Sequence, residues 1–271
     1  MNSWIKILFS FFFSFSLYAN CDFAPHVSKV YSLSGAVTVA LKDMGLLKNS
    51  KVKGVSIFHP ITSQDFAGKI LPGGIFLAQG STNEFHGGIV FYDQSRELTK
   101  VLGSLNSVQA IEFASRNLTP GQVTDKVIKT LEPFLKSCEK ELASWKKRTT
   151  DLEDKILKKI HEPLNVLFYM GEFRNGRPPE TLIVNDGVVK WLIEQKKIKT
   201  YPSPLAYVNW SAKVMSELPK DILKVAVKDS GNKMTKLAKK VNGGVNLVYP
   251  GVLIPGVTQL EAVDFWLSSL F

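Results

Sequence analysis

A stretch of heptad-like spacing in the middle of the chain constrains the fold most. From Pro133 onward, apolar or small residues recur every three or four positions, and charged residues fill the positions between them. This spacing predicts one helix of about 27 residues, roughly 40 Å long, with a single apolar stripe. A stripe of this kind is also typical of a coiled coil. Its members are Leu135, Cys138, Leu142, Trp145, Thr149, Leu152, Ile156 and Ile160.

Short apolar runs alternate with helical or polar stretches on both sides of this helix. Alternation of strands and helices predicts an α/β fold with mostly parallel sheets. Because the alternation flanks the helix on both sides, we favour one long helix that joins two α/β lobes, with a ligand cleft between them. The predicted strands are Val30–Leu33, Val52–Phe58, Ile89–Tyr92, Gln109–Phe113, Leu164–Met170, Ile222–Val227 and Val245–Tyr249.

The same reading predicts helices and domain boundaries. Apolar residues at helical spacing follow the first strand from Ala36. The other predicted helices are Arg96–Leu102, Val188–Glu194, Ser211–Leu218, Lys233–Val241 and Thr258–Leu270. We expect a signal peptide in residues 1–19, an N-terminal lobe in 20–119, a helical segment in 120–162 and a C-terminal lobe in 163–271.

The first residues have the pattern of an export signal. Lys6 precedes a hydrophobic stretch, Ile7–Leu17, that is shorter than a membrane-spanning helix, and Ala19 suits cleavage. We therefore predict an exported protein. The alternative is a lipid anchor on Cys21, but Asn20 stands where lipoproteins usually have Gly, Ala or Ser.

The chain is basic, with a formal charge of +10 that becomes +9 once the signal peptide and its one lysine are removed. Such a charge suits nucleic acid, an anionic membrane or an anionic ligand. The lysines are scattered and form no arginine-rich tract, so we predict no nucleic-acid partner and take most of them as a solvated surface. We expect a monomer.

Cys21 and Cys138 are the only cysteines. In an exported protein, two cysteines are typical of one disulfide. We favour this pairing over one buried thiol and one exposed or lipidated thiol.

Ligands in open α/β sheets bind outside the carboxyl ends of the strands. The loops at those positions hold much of the tyrosine of the chain, together with arginine and one histidine. Aromatic walls suit a flat organic chelate or macrocycle, and arginine suits carboxylates. The predicted ligand-binding residues are Ser34, Phe58, His59, Tyr92, Arg116, Tyr169, Arg174, Arg177, Trp210 and Tyr249.

Other chemistry has little support in the sequence. Of the four histidines, only His59 ends a predicted strand, so we expect no bare metal site and no resident cofactor; His59 or a tyrosine could instead be an axial ligand of haem. Nucleophile elbow, zinc-protease and phosphate-loop motifs are absent, and we predict that the chain is not an enzyme. Glu112, Glu172, Asp93 and Asp229 are unpaired in sequence, so we take them as solvated carboxylates.

Several short motifs, in order, resemble the helical-backbone class of periplasmic substrate-binding proteins, which serve ABC transporters of metals, ferric siderophores, haem and cobalamin. Each motif is weak alone, and the specificity lies in their order and in the long helix between them. They are Tyr31–Ser34 with Val37-Thr38, Lys53–Ser56, Asn209–Ser211, Leu218–Ile222, and Pro255-Gly256 with Leu260–Ala262.

This resemblance implies capture of an iron chelate or corrinoid for ABC-type import, with only small lobe movements. One position departs from the family, which usually has a glutamate that docks on permease arginines where this chain has Lys213. The counterpart on the other lobe is Glu84, in a poorly matching context. A cation facing cations repels, so the alternative is a ligand-binding sensor or envelope-interaction protein of the same fold. An exported hydrolase is the third reading.

Overall fold

The computed structural model describes residues 21–56, 59–66, 68–71, 82–173, 180–209, 211, 221–241 and 244–270. An N-terminal sheet of five parallel strands has the order β4-β3-β2-β5-β6. Side chains on its two faces are buried in two separate clusters: Val30 packs on one face, and Tyr31 and Leu33 pack on the other. The strands are β2 (Val30–Leu33), β3 (Val52–Ser56), β4 (Lys69–Leu71), β5 (Ile89–Asp93) and β6 (Gln109–Phe113).

Helices cover both faces of this sheet. The face that carries Val30 packs against helices α1 (Gly35–Asp43) and α3 (Pro120–Leu131), and the face that carries Tyr31 packs against α2 (Arg96–Gly103). Burial on both faces explains why the central strands β2 and β5 are mostly apolar, as parallel strands usually are, whereas the edge strands β4 and β6 keep exposed polar residues.

The C-terminal sheet is mixed, with the order β11-β9-β8-β12-β14-β13 and β10 beside β8. Its centre is parallel, whereas β9, β11 and β13 run antiparallel to their neighbours. Helices α5 (Gly187–Glu194) and α6 (Val257–Leu270) cover one face. The strands are β8 (Leu164–Met170), β9 (Thr181–Ile183), β10 (Ile198–Lys199), β11 (Tyr207–Asn209), β12 (Leu223–Asp229), β13 (Leu237–Val241) and β14 (Gly244–Tyr249).

The predicted helix at Lys233–Val241 is wrong. A 3₁₀ turn at Gly231–Lys233 leads into β13, which pairs antiparallel with β14 from Leu237↔Val248 to Val241↔Gly244. The apolar spacing of this segment is compatible with a helix, but pairing along all five residues of β13 overrides it. Asn242-Gly243, between the two strands in sequence, is a typical two-residue hairpin signal. The predicted helix at Ser211–Leu218 lies outside the described residues, except for Ser211.

The long helix is confirmed but begins later than predicted. Helix α4 (Glu139–Lys159) has 21 residues. Glu132–Phe134 form a 3₁₀ turn, and Leu135–Lys136 form strand β7, which pairs with β1 (Asp22–Phe23). A disulfide joins Cys21 to Cys138, the residue before the helix. Pairing with the N-terminal segment therefore holds residues 135–138 outside the helix.

Helix α4 crosses from one hydrophobic core to the other. Leu142 and Trp145 pack in the N-terminal core, and Ile156 packs in the C-terminal core, while Leu152 contacts both. The predicted domain boundaries remain a prediction, but the helix connects two separately packed sheets. Within the described ranges, no helix combines the length and apolar character that crossing a bilayer needs.

Arg148 ties α4 to both lobes. Its Nη1 lies 2.6 Å from Asp43 Oδ2 on α1, and its Nη2 pairs with Glu261 on α6. Asp43 also accepts a hydrogen bond from Trp145 Nε1 at 3.2 Å. Further along, Lys155 and Lys159 both pair with Asp264 on α6. These contacts fix the position of the helix against both lobes.

Candidate functional site

A cavity of about 570 Å³ lies between the two lobes. Its N-terminal wall includes Ser56 and Asp93, at the carboxyl ends of β3 and β5, and its C-terminal wall includes Asp229, at the end of β12. Leu253 and Ile254, from the loop between β14 and α6, complete that wall. Such a position, outside the carboxyl ends of parallel strands, is where α/β sheets bind ligands.

His59 lines this cavity and is 4% exposed. Its Nδ1 is buried and has no hydrogen-bond partner among the residues that the structure describes. The turn is held by backbone bonds from His59 N to Ser56 O and from Ile61 N to His59 O. Burial lowers the pKa of the imidazole to about 4, because the charged form loses its hydration. The ring is therefore neutral at pH 7 and can act as a metal ligand.

The turn after β2 is closed by a carboxylate. Ser34 Oγ donates to Asp93 Oδ1 at 2.6 Å, and the amide of Gly35 donates to Asp93 Oδ2 at 3.2 Å. Burial raises the pKa of Asp93, and these two hydrogen bonds act in the opposite direction. The free backbone amides at the start of a helix can bind an anion. In this structure the carboxylate of Asp93 takes that place at the start of α1.

A second aspartate, Asp229, accepts hydrogen bonds from the backbone on the opposite wall of the cavity. Asp229 Oδ1 accepts hydrogen bonds from the amides of Gly231 at 2.7 Å and Gly251 at 2.8 Å. These bonds join the end of β12 to the loop after β14. The expectation that Asp93 and Asp229 are merely solvated is corrected: both shape the cavity by bonding its backbone.

The two walls approach each other closely at Gly35. A Cβ atom at this position would lie 3.0 Å from two carbons of the Ile254 side chain, closer than packed side chains normally allow. Gly251 has a φ of +71°, and a Cβ atom at this position would lie 3.1 Å from Cγ of Pro60. Glycine therefore lets the loop of the C-terminal lobe rest on the start of α1.

A second contact between the lobes lies at the buried side chain of Asp186. It accepts a hydrogen bond from the amide of Asn117 at 2.9 Å and one from Tyr207 Oη at 2.6 Å. Lys190 Nζ donates to Asn117 O at 2.6 Å. Burial is the main cause that raises the pKa of Tyr207, and the neighbouring carboxylate of Asp186 raises it further. The positive charge of Arg116 acts in the opposite direction.

The structure therefore places the predicted site residues in different surroundings. Ser34, through Asp93, and His59 belong to the cavity, and Arg116 is exposed beside the Asp186 contact. Three tyrosines lie in lobe cores instead: Tyr92 under α2, Tyr169 against Phe173, and Tyr249 between Phe265 and the ammonium group of Lys236. Phe58, Arg174, Arg177 and Trp210 lie outside the described residues.

Sequence reasoning missed Asp186. Its signal is the pair Asp186-Gly187 directly before a helical run, which is typical of a helix start. The side chain caps no amide of its own helix and bridges the lobes instead. Only the folded arrangement brings Asn117 to it.

A larger cavity, of about 700 Å³, lies at the C-terminal end of α4, between Lys158, His161 and Leu267. It is remote from the carboxyl ends of the parallel strands, so we assign the candidate site to the interlobe cavity. Within the described ranges, no three His, Cys, Asp or Glu side chains are grouped so that they could hold a metal ion.

Comparisons with known proteins bear on the fold. No protein-family model and no curated protein matches the chain. Among solved structures, the periplasmic heme-binding protein HutB of Vibrio cholerae is 14% identical, with a TM-score of 0.59 over 91% of this chain and 99% of that chain. The periplasmic heme-binding protein RhuT from Roseiflexus sp. RS-1 is 15% identical, with a TM-score of 0.55 over 89% and 98%.

A third similar structure is PiaA from Streptococcus pneumoniae TIGR4, the substrate-binding protein of an iron uptake ABC transporter. It is 15% identical, with a TM-score of 0.53 over 89% of this chain and 93% of that chain. Each likeness extends over both sheets and the helix between them. The chain therefore has the fold of the bilobal periplasmic solute-binding proteins in which one long helix joins the lobes.

Proposed function

We propose that this chain is a periplasmic solute-binding protein that captures an iron chelate, either a siderophore or haem, or a corrinoid, for ABC-type import. The observation that carries the proposal is the interlobe cavity, lined from the strand ends of both sheets and by the buried imidazole of His59, whose Nδ1 has no hydrogen-bond partner among the described residues. The shared fold with proteins named for heme binding and iron uptake supports it.

The chemistry of the cavity suits such a ligand. A volume of about 570 Å³ is within the usual range for small-molecule sites. Apolar side chains of Leu33, Leu98 and Ile254 line it and can pack against a macrocycle or chelate. The neutral imidazole of His59 supplies a candidate ligand for iron.

The remaining assignments belong to the same proposal. The protein acts as an exported monomer after removal of residues 1–19, carries no resident cofactor and catalyses no reaction. An ABC permease is its partner. The sequence pattern of the first residues supports export, and the periplasmic location of proteins that share the fold agrees with it.

Titration of the purified, processed protein with haemin, ferric siderophores and cobalamin, followed by absorbance and tryptophan fluorescence, tests the proposal. We expect one of these ligands to bind with a dissociation constant below about 100 μM. His59→Ala should weaken that binding at least tenfold, whereas His26→Ala, at an exposed histidine outside the cavity, should not. Absence of binding to every member of the panel would contradict the proposal.

Lys213 favours a second candidate function, a ligand-binding sensor or envelope-interaction protein without a permease. The position lies outside the described residues, and its positive charge is what would oppose docking on permease arginines. Ligand uptake by cells that lack this chain separates the two functions: an importer component is required for uptake, and a sensor is not.

A further inference from the structure

The outer edge of the C-terminal sheet carries an unusual surface, which we call the lysine edge. It comprises Lys233, Met234, Lys236, Leu237, Lys239 and Lys240. All six side chains are exposed, including 37% of Met234 and 45% of Leu237. Large apolar side chains set between lysines at an edge are not explained by the fold, because they contribute little to either core.

The charge of the lysine edge is not cancelled locally. Among the described residues, none of its four lysines forms an ion pair with a carboxylate. The sequence has no acidic residue between Asp229 and Glu261. Asp229 is bonded to two backbone amides, and Glu261 is paired with Arg148. Lys236 lies 4.9 Å from the ring centroid of Tyr249, a contact that leaves its positive charge in place.

The geometry of the edge limits the kind of partner. β13 bonds β14 along one side and, within the described residues, no strand along the other. An open strand edge invites a further strand, but exposed lysines on an edge oppose such addition. Lysines interspersed with exposed apolar side chains instead match a bilayer surface, where ammonium groups meet anionic headgroups and apolar side chains enter the acyl boundary.

We infer that the lysine edge is a docking surface for an anionic phospholipid bilayer. This inference goes beyond the proposed function and does not require it. The lysine edge begins beside Gly231, which lines the interlobe cavity. Docking by this edge would therefore hold the mouth of the cavity near the membrane surface.

Vesicle co-sedimentation of the processed chain tests the inference. We use vesicles of phosphatidylcholine alone and vesicles with 30% phosphatidylglycerol, at low and at physiological salt. We expect binding to the anionic vesicles only, weakening as salt rises because the charges are screened. Each lysine near an anionic surface contributes about fivefold to the partition coefficient. Replacement of all four lysines of the edge by Gln should therefore abolish detectable binding.

A matched control separates the lysine edge from net charge. Replacement of Lys100, Lys129, Lys136 and Lys140 by Gln changes the charge by the same amount at exposed lysines without ion pairs among the described residues. This variant should retain most of the binding. The N-terminus is identical in all variants, so it cannot produce a difference between them.

The apolar residues have their own variant. Met234→Ser with Leu237→Ser should weaken binding several-fold and leave its salt dependence unchanged. Two results would overturn the inference: no binding of the wild type to anionic vesicles, or equal loss in both lysine variants. In the first case, binding to poly-glutamate would assign the edge to an acidic polypeptide. Thermal melts of each variant confirm that it is folded.

Discussion

At the residue scale, His59 is the side chain whose chemistry is most altered by the fold. Its burial disfavours the protonated form of the ring far more than the neutral form. The unfolded chain protonates near pH 6.5, whereas the folded chain does so only at about pH 4. Protonation therefore favours the unfolded state in this interval, and stability should fall as the pH decreases from about 6.5 to about 4.

We predict that His59 contributes up to about 3 kcal/mol to this loss, from the difference between the two pKa values. Urea unfolding of the wild type and of His59→Gln between pH 7.5 and 4 measures it. The variant should lose that part of the pH dependence, and His26→Gln should keep it. An identical pH profile for wild type and His59→Gln would show that the imidazole is not buried as described.

Asp93 closes the turn at Ser34-Gly35, where α1 begins. Its carboxylate accepts two hydrogen bonds at the start of α1. We predict that Asp93→Ala lowers the free energy of unfolding by about 1–3 kcal/mol, since it removes a charged acceptor from buried donors. Ser34→Ala should cost less, because the bond from Gly35 remains. Thermal or urea unfolding measures both; equal effects would contradict the assigned roles.

The sequence identifies the loops of the candidate site better than its side chains. His59 follows a strand and lines the cavity, and Ser34 is bonded to Asp93 of the cavity wall, whereas Tyr92, one residue before Asp93, is buried under α2. Successive residues of a strand point to opposite faces of the sheet. A shift of one residue along the strand therefore decides whether a side chain reaches the cavity or the core. The sequence cannot reveal which face is which until the helices are placed on the sheet.

At the element scale, α4 couples the lobes through side chains that the apolar pattern does not disclose. Leu152 contacts both cores, and Arg148 pairs with both α1 and α6. A helix so attached at its centre resists bending and rotation of one lobe against the other. This arrangement agrees with the small lobe movements that the family resemblance implies.

We predict that Arg148→Met increases the movement between the lobes more than it reduces stability. Methionine keeps the apolar stem but removes both ion pairs, which at a partly exposed site contribute only about 1 kcal/mol together. Hydrogen exchange should rise at the contacts of α1 and α6 with α4. Lys147→Met, which removes a pair within the same helix, is the control. Equal exchange in both variants would refute a coupling role for Arg148.

Elements are predicted well where one pattern dominates. Gln109–Phe113 and Leu164–Met170 have the predicted bounds. In the second of these strands the buried centre is a continuous apolar run, as is typical of parallel strands. The segment Lys233–Val241 is mispredicted because the spacing of its apolar residues also fits a helix. Its partner strand β14 follows the hairpin signal Asn242-Gly243 in the sequence, and pairing with β14 makes the segment a strand. Likewise, β7 shortens the long helix through pairing with residues far away in sequence, which no local pattern reveals.

At the scale of the whole molecule, the disulfide closes a long loop. Cys21 and Cys138 are 117 residues apart, so the bond restricts much of the unfolded N-terminal half. We predict that Cys21→Ser with Cys138→Ser lowers the free energy of unfolding by up to about 4–5 kcal/mol in the chain-entropy model. Reductant should destabilise the wild type and leave the double variant unchanged. An effect of reductant on neither protein would contradict a structural disulfide.

Among the described residues, the contacts between the two lobes include those made by α4, the approach of Gly35 to Ile254, and the hydrogen bond from Asn117 to Asp186. A ligand between the lobes would lie against the strand-end loops of both sheets and would slow exchange of their amides. The cavity at the end of α4 shares none of these loops. Location of the bound ligand thus distinguishes the two cavities directly.

The most direct test is hydrogen exchange of the processed protein with and without haemin, a ferric hydroxamate siderophore and cobalamin. We predict that at least one ligand slows exchange in peptides around Gly35, His59, Asp93 and Asp229, on both sides of the interlobe cavity. Slower exchange confined to the end of α4, or no change with any of the three, would contradict the proposal that the interlobe cavity is the binding site.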